Sequence, residues 1–331
     1  MTATIDTTEI DFRSAIILAI AAEMEHDPAV ILMGEDVAFA GGVFQATKGL
    51  FDQFGPDRVI DTPISELALA GAAFGAAVTG LRPIMEIMFG DFMFLAMDSL
   101  VNQSAKHWFL SNEQQSVPLV VRSAVGGGGR FGAIHSQVPV PWLLGIPGIK
   151  LLAPSRPSDA YWLLRDAIRD ENPVVFFEHK RMYAVKGPLA ESGPPGGSQV
   201  LRPGRDVTLV GCMATVPTCV EAAEQLSSTG IEAEVVDLFS LNPLDVLGVA
   251  QSVQSTGALV AVEEGPASGG WSSALLAGIV ETCETTAIRR VTSPAIPLPF
   301  SAPLEDAWMP SVQDVIDGAL AALERRKGHA S

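Results

Sequence analysis

The chain has 331 residues, 48% hydrophobic and 18% charged, with a formal charge of −17; such a length favours two domains of roughly 100–200 residues, and such a composition excludes a disordered chain. The excess of acid excludes a protein that tracks nucleic-acid phosphates or docks on an anionic membrane, because both need clustered Lys and Arg. A mean hydropathy of +0.30 points to extensive buried surface, as a large subunit interface would give.

The N-terminal MTATIDTTEIDFRSA carries acids where a signal or transit peptide carries bases. Apolar, β-rich runs then recur at Ala29–Met33, Pro83–Ile87, Pro118–Arg122, Ile149–Leu152 and Val174–Glu178, with helical periodicity between them. That alternation predicts a parallel sheet covered by helices. Asp61-Thr-Pro-Ile-Ser-Glu66 opens a helix, with Pro63 suited to its first turn and Thr62 or Ser65 able to cap it. From Glu66 to Thr79 this helix has no polar face, which predicts burial on all sides, and Gly71 and Gly75 allow another backbone close approach. The small, apolar stretch Leu67 to Leu81 falls short of the roughly 20 residues a membrane span needs. Glu66 serves either the helix dipole or, if sequestered, proton exchange with a ring nitrogen.

A Gly126–Gly129 run and Arg130 lead to Ile134-His135-Ser136-Gln137, read as a flexible loop of the kind that borders active sites. It lacks the order of a dinucleotide-binding loop, and no Walker lysine follows. Between about 187 and 205, GPLAESGPPGGSQVLRPG reads as a linker too rich in Pro and Gly to sustain an element. The pattern restarts at Val207–Val210, with a helix near Val216–Ser227, strands at Ala233–Asp237 and Ala258–Glu263, a turn at Glu263–Pro266 and a helix from Trp271. The reading is therefore a domain over 1–186, a linker over 187–205 and a second α/β domain over 206–331 ending in a frayed LERRKGHAS. Cys212, Cys219 and Cys283 show no metal or disulfide spacing and read as buried thiols of a reducing compartment. A soluble, cytoplasmic protein is expected.

Glu66, four residues, Gly71, three residues, Gly75 resembles the pyrimidine-binding domain of thiamine-diphosphate enzymes. The stretches GEDVAFAGGVFQATKGLFDQFGPDRVIDTPISE, GLRPIMEIMFGDF, HSQ, IPGIKLLAPSRPSDA, AIRDENPVVFFEHKRMY, EEGP and PLEDAWMPSV resemble the beta subunits of 2-oxo acid dehydrogenase complexes nearly end to end. The resemblance implies an α/β fold with a transketolase-like pyrimidine-binding domain and a transketolase C-terminal-like domain. It also implies that Glu66 hydrogen-bonds N1′ of the aminopyrimidine and promotes the tautomer that deprotonates the thiazolium. Phe92 would stack on that ring, and His135 would aid proton transfer and acyl transfer to a lipoyl group. Judged without the resemblance, Phe89, Phe92 and Phe94 read as core, and His26, His107, His179 and His329 as surface or structural.

The Gly-Asp-Gly motif with a downstream asparagine that holds the diphosphate and magnesium is not in the sequence; Gly90-Asp91-Phe92 is the nearest text. The resemblance therefore implies an alpha subunit that binds both, an α2β2 heterotetramer, and a dihydrolipoyl acyltransferase partner met by the acidic C-terminal domain. It further implies a structural potassium ion at Leu119, Ala167, Ile168, Asp170 and Asn172, although Asp170 and Asn172 before Pro173 also read as a plain helix end. Two departures stand out: Val138-Pro139-Val140-Pro141 after HSQ, where relatives more often carry serine and an acidic or small polar residue, and Phe239, where they usually carry arginine. Pyruvate, branched-chain 2-oxo acids and acetoin remain open as substrates. A carboligase without a lipoyl partner and a silent stabilising subunit are the alternatives.

Overall fold

The computed structural model describes residues 9–283 and 287–329. The chain forms two compact units, one of residues 1–125 and 145–193, the other of residues 126–144 and 194–331. The acidic N-terminal leader falls largely outside the described residues, as do the last two residues of the expected frayed end and the side chain of His329.

In the first unit, α1 (Phe12–His26) precedes β1 (Val30–Gly34), β2 (Val59–Asp61), α2 (Glu66–Val78) and β3 (Arg82–Ile87). There follow β4 (Val120–Val125), β5 (Lys150–Leu152), α3 (Pro157–Arg169) and β6 (Val174–His179). These strands run parallel in the order β5-β6-β4-β3-β1-β2. Every residue of β1, β4 and β6 is buried, as expected for parallel strands covered on both faces. The chain leaves β1 for β2 on one side and returns to β3 on the other, so a topological switch lies at the carboxyl ends of β1 and β3, where ligands bind in open parallel sheets.

The second unit adds β7 (Ser198–Arg202), β8 (Val207–Gly211), α4 (Thr215–Ser227), β9 (Ala233–Leu238), α5 (Val246–Thr256) and β10 (Ala258–Pro266). It closes with α6 (Trp271–Thr282), β11 (Ala287–Ser293), α7 (Ala302–Trp308) and α8 (Val312–His329). Its sheet runs β11-β10-β8-β9-β7, parallel except for β7. Leu209, Val235 and Val260 of the sheet pack with Cys219, Ala222 and Leu226 of α4 and with Val315 and Ala319 of α8.

Five expectations change. The Pro/Gly-rich stretch does sustain an element, β7, because an antiparallel edge strand needs only one bonded neighbour. The EEGP sequence extends β10 instead of turning, pairing with β11 as far as Pro266. Helix α2 starts at Glu66, with Pro63 ahead of it and no helix amide donating to the Ser65 side chain at its N-cap. Nor is α2 buried all round: Leu69, Ala70, Ala73 and Ala77 face inward, while Leu67, Ala68 and Ala72 lie exposed. Cys212 and Cys219 are buried, whereas Cys283 at the end of α6 is half-buried. Among the described residues no helix is long and apolar enough to cross a membrane.

Candidate active site

At the carboxyl edge of the first sheet, Thr62 N–H donates to Gly34 O at 2.9 Å and Asp61 accepts from Ala38 N–H at 2.8 Å, which fixes the turn from β2 into α2. Glu66, the first residue of α2, is only 7% exposed. No hydrogen bond to its carboxyl comes from the described residues of this chain. Glu35, at the end of β1, is equally buried, and its Oε1 has no partner. Burial raises the Glu35 carboxyl above its ordinary value; the charge of Glu66 raises it further, the Ser65 amide lowers it, and Asp36 adds a smaller push upward. A carboxyl held among apolar groups beside a second carboxylate gives up its proton less readily than one in water. Glu35 went unnoticed in the sequence because Gly-Glu-Asp after a strand reads as a plain turn. Thr62 Oγ1, buried and without a partner, lies in the same turn.

Phe92 ends a short 3₁₀ turn, Gly90–Phe92, just beyond β3 and is half-buried. Its ring meets Phe89 edge-on with centroids 6.1 Å apart; Phe89 in turn meets Phe44, which stacks on Tyr183 at 5.4 Å. Phe89 is core, as residue type alone implied, while Phe94 is exposed. The structure thus brings Glu66 and Phe92 to one edge of one sheet.

Beneath that edge lies a charged cluster that the sequence did not reveal. Arg122 on β4 donates from Nε and Nη2 to Glu178 on β6 at 2.6 and 3.0 Å, and from Nη1 to Glu86 on β3 at 2.9 Å. Tyr183 adds its hydroxyl to Glu178 at 2.9 Å. Burial, with the neighbouring Glu178, pushes Glu86 up against the pull of Arg122, and burial likewise pushes the Tyr183 phenol well up. A buried arginine with two carboxylates is costly to break by removing one partner.

The five positions expected to hold potassium gather at the opposite edge, where the strands begin. Leu119 O accepts from Val174 N–H at 2.9 Å, and Asp170 caps α3 by donating N–H to Ala167 O at 3.3 Å. Arg82 donates to the carbonyls of Ile168, Arg169 and Asp170 at 3.0, 2.7 and 3.0 Å. The Asp170 carboxylate pairs with Lys150 and accepts from the Asn172 backbone and side chain at 2.9 and 3.1 Å. Burial pushes the Asp170 carboxyl up, but the bonds from Lys150 and Asn172 together outweigh it and hold the group below its ordinary value. The cluster is a helix end tied down by two cations. Among the described residues no group of three or more His, Cys, Asp or Glu could hold a metal.

His135 belongs to the second unit, on the segment 126–144, and is half-buried in a turn where its N–H meets Gly132 O at 3.4 Å. The glycine run before it is pinned where a flexible loop was expected. Gly127 N–H donates to Glu264 at 2.6 Å and Gly128 N–H to the fully buried Glu305 at 2.8 Å, while the Arg130 guanidinium pairs with Glu305 and Asp306 at 2.7 Å each. A side chain at Gly127 would meet Leu298 and Met309 at 2.9 Å, so close packing explains the glycine. Of the other histidines, His179 is buried and accepts from Arg181 N–H at 3.2 Å, and His107 bonds Gln115 at 2.8 Å. Phe239, where the resemblance implies an arginine, is fully buried.

Residues 8–186 match the transketolase pyrimidine-binding domain and residues 196–315 the transketolase C-terminal domain. The chain is 40% identical to the acetoin:2,6-dichlorophenolindophenol oxidoreductase subunit beta of Cupriavidus necator, over 97% of this chain and 98% of that one. It is 39% identical to the mitochondrial pyruvate dehydrogenase E1 component subunit beta of Dictyostelium discoideum, over 99% and 95%. It is 40% identical to the 2-oxoisovalerate dehydrogenase subunit beta of Bacillus subtilis, over 95% and 98%. Among solved structures, a split-gene transketolase described as an inactive beta4 tetramer shares the fold with a TM-score of 0.80 at 23% identity, over 95% of this chain and 98% of that chain.

Proposed function

This chain belongs to the beta-subunit family of thiamine-diphosphate-dependent 2-oxo acid dehydrogenases, built from transketolase pyrimidine-binding and C-terminal domains, and on that premise we propose that it decarboxylates a 2-oxo acid jointly with an alpha subunit. The observation that carries the reading is the Glu66 carboxyl, buried at the carboxyl edge of a parallel sheet and hydrogen-bonded to none of the described residues.

Thiamine diphosphate supplies the electron sink for loss of carbon dioxide. A flat nitrogen heterocycle fits this edge: Glu66 offers a carboxyl able to exchange a proton with a ring nitrogen, and the Phe92 ring offers an aromatic face. Glu35, raised by burial and by the Glu66 charge, lies within the electrostatic reach of Glu66. His135 handles protons at the reacting carbons and at the acyl acceptor. The diphosphate and its magnesium go to the alpha subunit, because the Gly-Asp-Gly sequence is not in this chain. Supporting an alpha partner is the apolar outer side of α2, with Leu67 56% and the preceding Ile64 81% exposed. An α2β2 assembly in the cytoplasm and a lipoyl-bearing acyltransferase acceptor complete the proposal.

A potassium ion at the carbonyls of Leu119, Ala167, Ile168, Asp170 and Asn172 is part of it as well. The carbonyls of Leu119, Ala167, Ile168 and Asp170 each keep a second lone pair after the hydrogen bond they accept, and hard oxygen donors suit that ion.

The test is co-expression with an alpha subunit and a screen of pyruvate, branched-chain 2-oxo acids and acetoin for product, with and without a lipoyl domain. Glu66→Gln should assemble normally and lose about 100-fold or more in turnover; retained activity would refute the role. Products that do not need a lipoyl acceptor would point to carboligation instead.

A further inference from the structure

The second unit contains a cavity of about 680 Å³, within the range of roughly 300–1,000 Å³ that small molecules occupy. The His135 segment forms one wall with Val138, Pro141 and Trp142, and Ile296, Leu298 and Trp308 form another. Val138 and Pro141 come from the stiff apolar stretch Val138–Pro141, and Trp142 follows it. The pins at Gly127, Gly128 and Arg130 hold this wall in place.

One lining group lacks a counterpart: Ser136 is 1% exposed and its Oγ has no hydrogen-bond partner. A buried hydroxyl left unpaired costs free energy and calls for an occupant that pairs with it. Among the described residues the only ionisable lining side chains are Glu263 and Glu264. Glu263 spends its acceptors on Trp271 N–H, Ser272 N–H and the Ser272 hydroxyl, and Glu264 accepts from Gly127. Burial pushes the Glu263 carboxyl up, against the hydrogen bonds it accepts from Ser272 and Trp271. An anionic occupant would lose its hydration beside two carboxyls and find no cation. An ammonium would have to compete with the three donors already on Glu263 and with the Gly127 amide on Glu264.

We propose that this cavity binds an uncharged, mainly apolar molecule whose single hydroxyl or carbonyl group pairs with Ser136. Because Ser136 adjoins His135, an occupant would also hold the turn that carries the histidine. That consequence rests on the function proposed above, whereas the binding itself does not.

The test is titration of the full-length chain, alone and assembled with its alpha subunit, with 1-hexanol, hexanoate and hexylammonium. Calorimetry and tryptophan fluorescence report binding. Saturable binding of 1-hexanol to both preparations is expected, roughly tenfold tighter than hexanoate or hexylammonium, and several-fold weaker in Ser136→Ala. Val138→Trp, which fills the cavity without touching Ser136, should abolish it, with circular dichroism showing that the variant folds. The proposal is overturned by no saturable binding, by equal or tighter binding of a charged probe, or by an unchanged Ser136→Ala. Loss of binding on assembly would overturn it too, since the partner would then fill the space.

Discussion

Burial and the neighbouring Glu66 hold the Glu35 carboxyl above its ordinary value of 4.5, so the folded chain binds that proton more tightly than the unfolded chain does. Its contribution is complete below the unfolded value and is lost as pH rises through the higher, folded one. Glu35→Gln should therefore flatten the fall in urea midpoint as pH rises above 4.5; an unchanged profile would show that Glu35 does not hold the proton. Arg122 acts in the opposite sense, as the charge that makes two buried carboxylates tolerable. Arg122→Met should cost about 3–5 kcal/mol, and urea unfolding that shows less than about 1 kcal/mol would contradict it. Glu66 was legible because a lone carboxyl opened an apolar helix. Glu86, Arg122 and Glu178 were not, because their meeting depends on the register of three strands far apart in sequence.

Helix α2 carries two faces of similar composition, and only one finds cover within the chain. Its outer residues impose no packing constraint on the isolated chain: a side chain added at Gly75 would meet nothing within 4 Å. Leu67→Arg should thus change the chain's own stability by no more than about 0.5 kcal/mol while abolishing assembly with the alpha subunit in sedimentation experiments. If assembly survives, the partner sits elsewhere. The same helix explains one misreading: an all-apolar sequence predicts burial but does not say by which chain. Central strands were readable because burial on both faces writes a continuous apolar run. Strands β2, β7 and β11 escaped notice because they are short or lie at a sheet edge; in β11 Arg289 and Arg290 interrupt the apolar run.

Across the molecule, the charge of −17 makes long-range attraction to a basic partner the expected route to complex formation. Association with the proposed acyltransferase partner, through a basic binding domain, should slow steeply as ionic strength rises past the point where the screening length falls to about 10 Å. Stopped-flow rates that do not respond to salt would exclude that steering. The two α/β units were readable from the alternation of strand and helix patterns, but the place of residues 126–144 was not. Their attachment to the second unit depends on Glu264 and Glu305, which lie more than a hundred residues downstream.

The bare outer side of the Glu66 helix carries a cost for the cell as well as for the fold. A copy synthesised in excess of its counterpart would present a greasy rod to chaperones and proteases. Surplus molecules would be cleared, and the supply of one gene product would set the usable amount of the other.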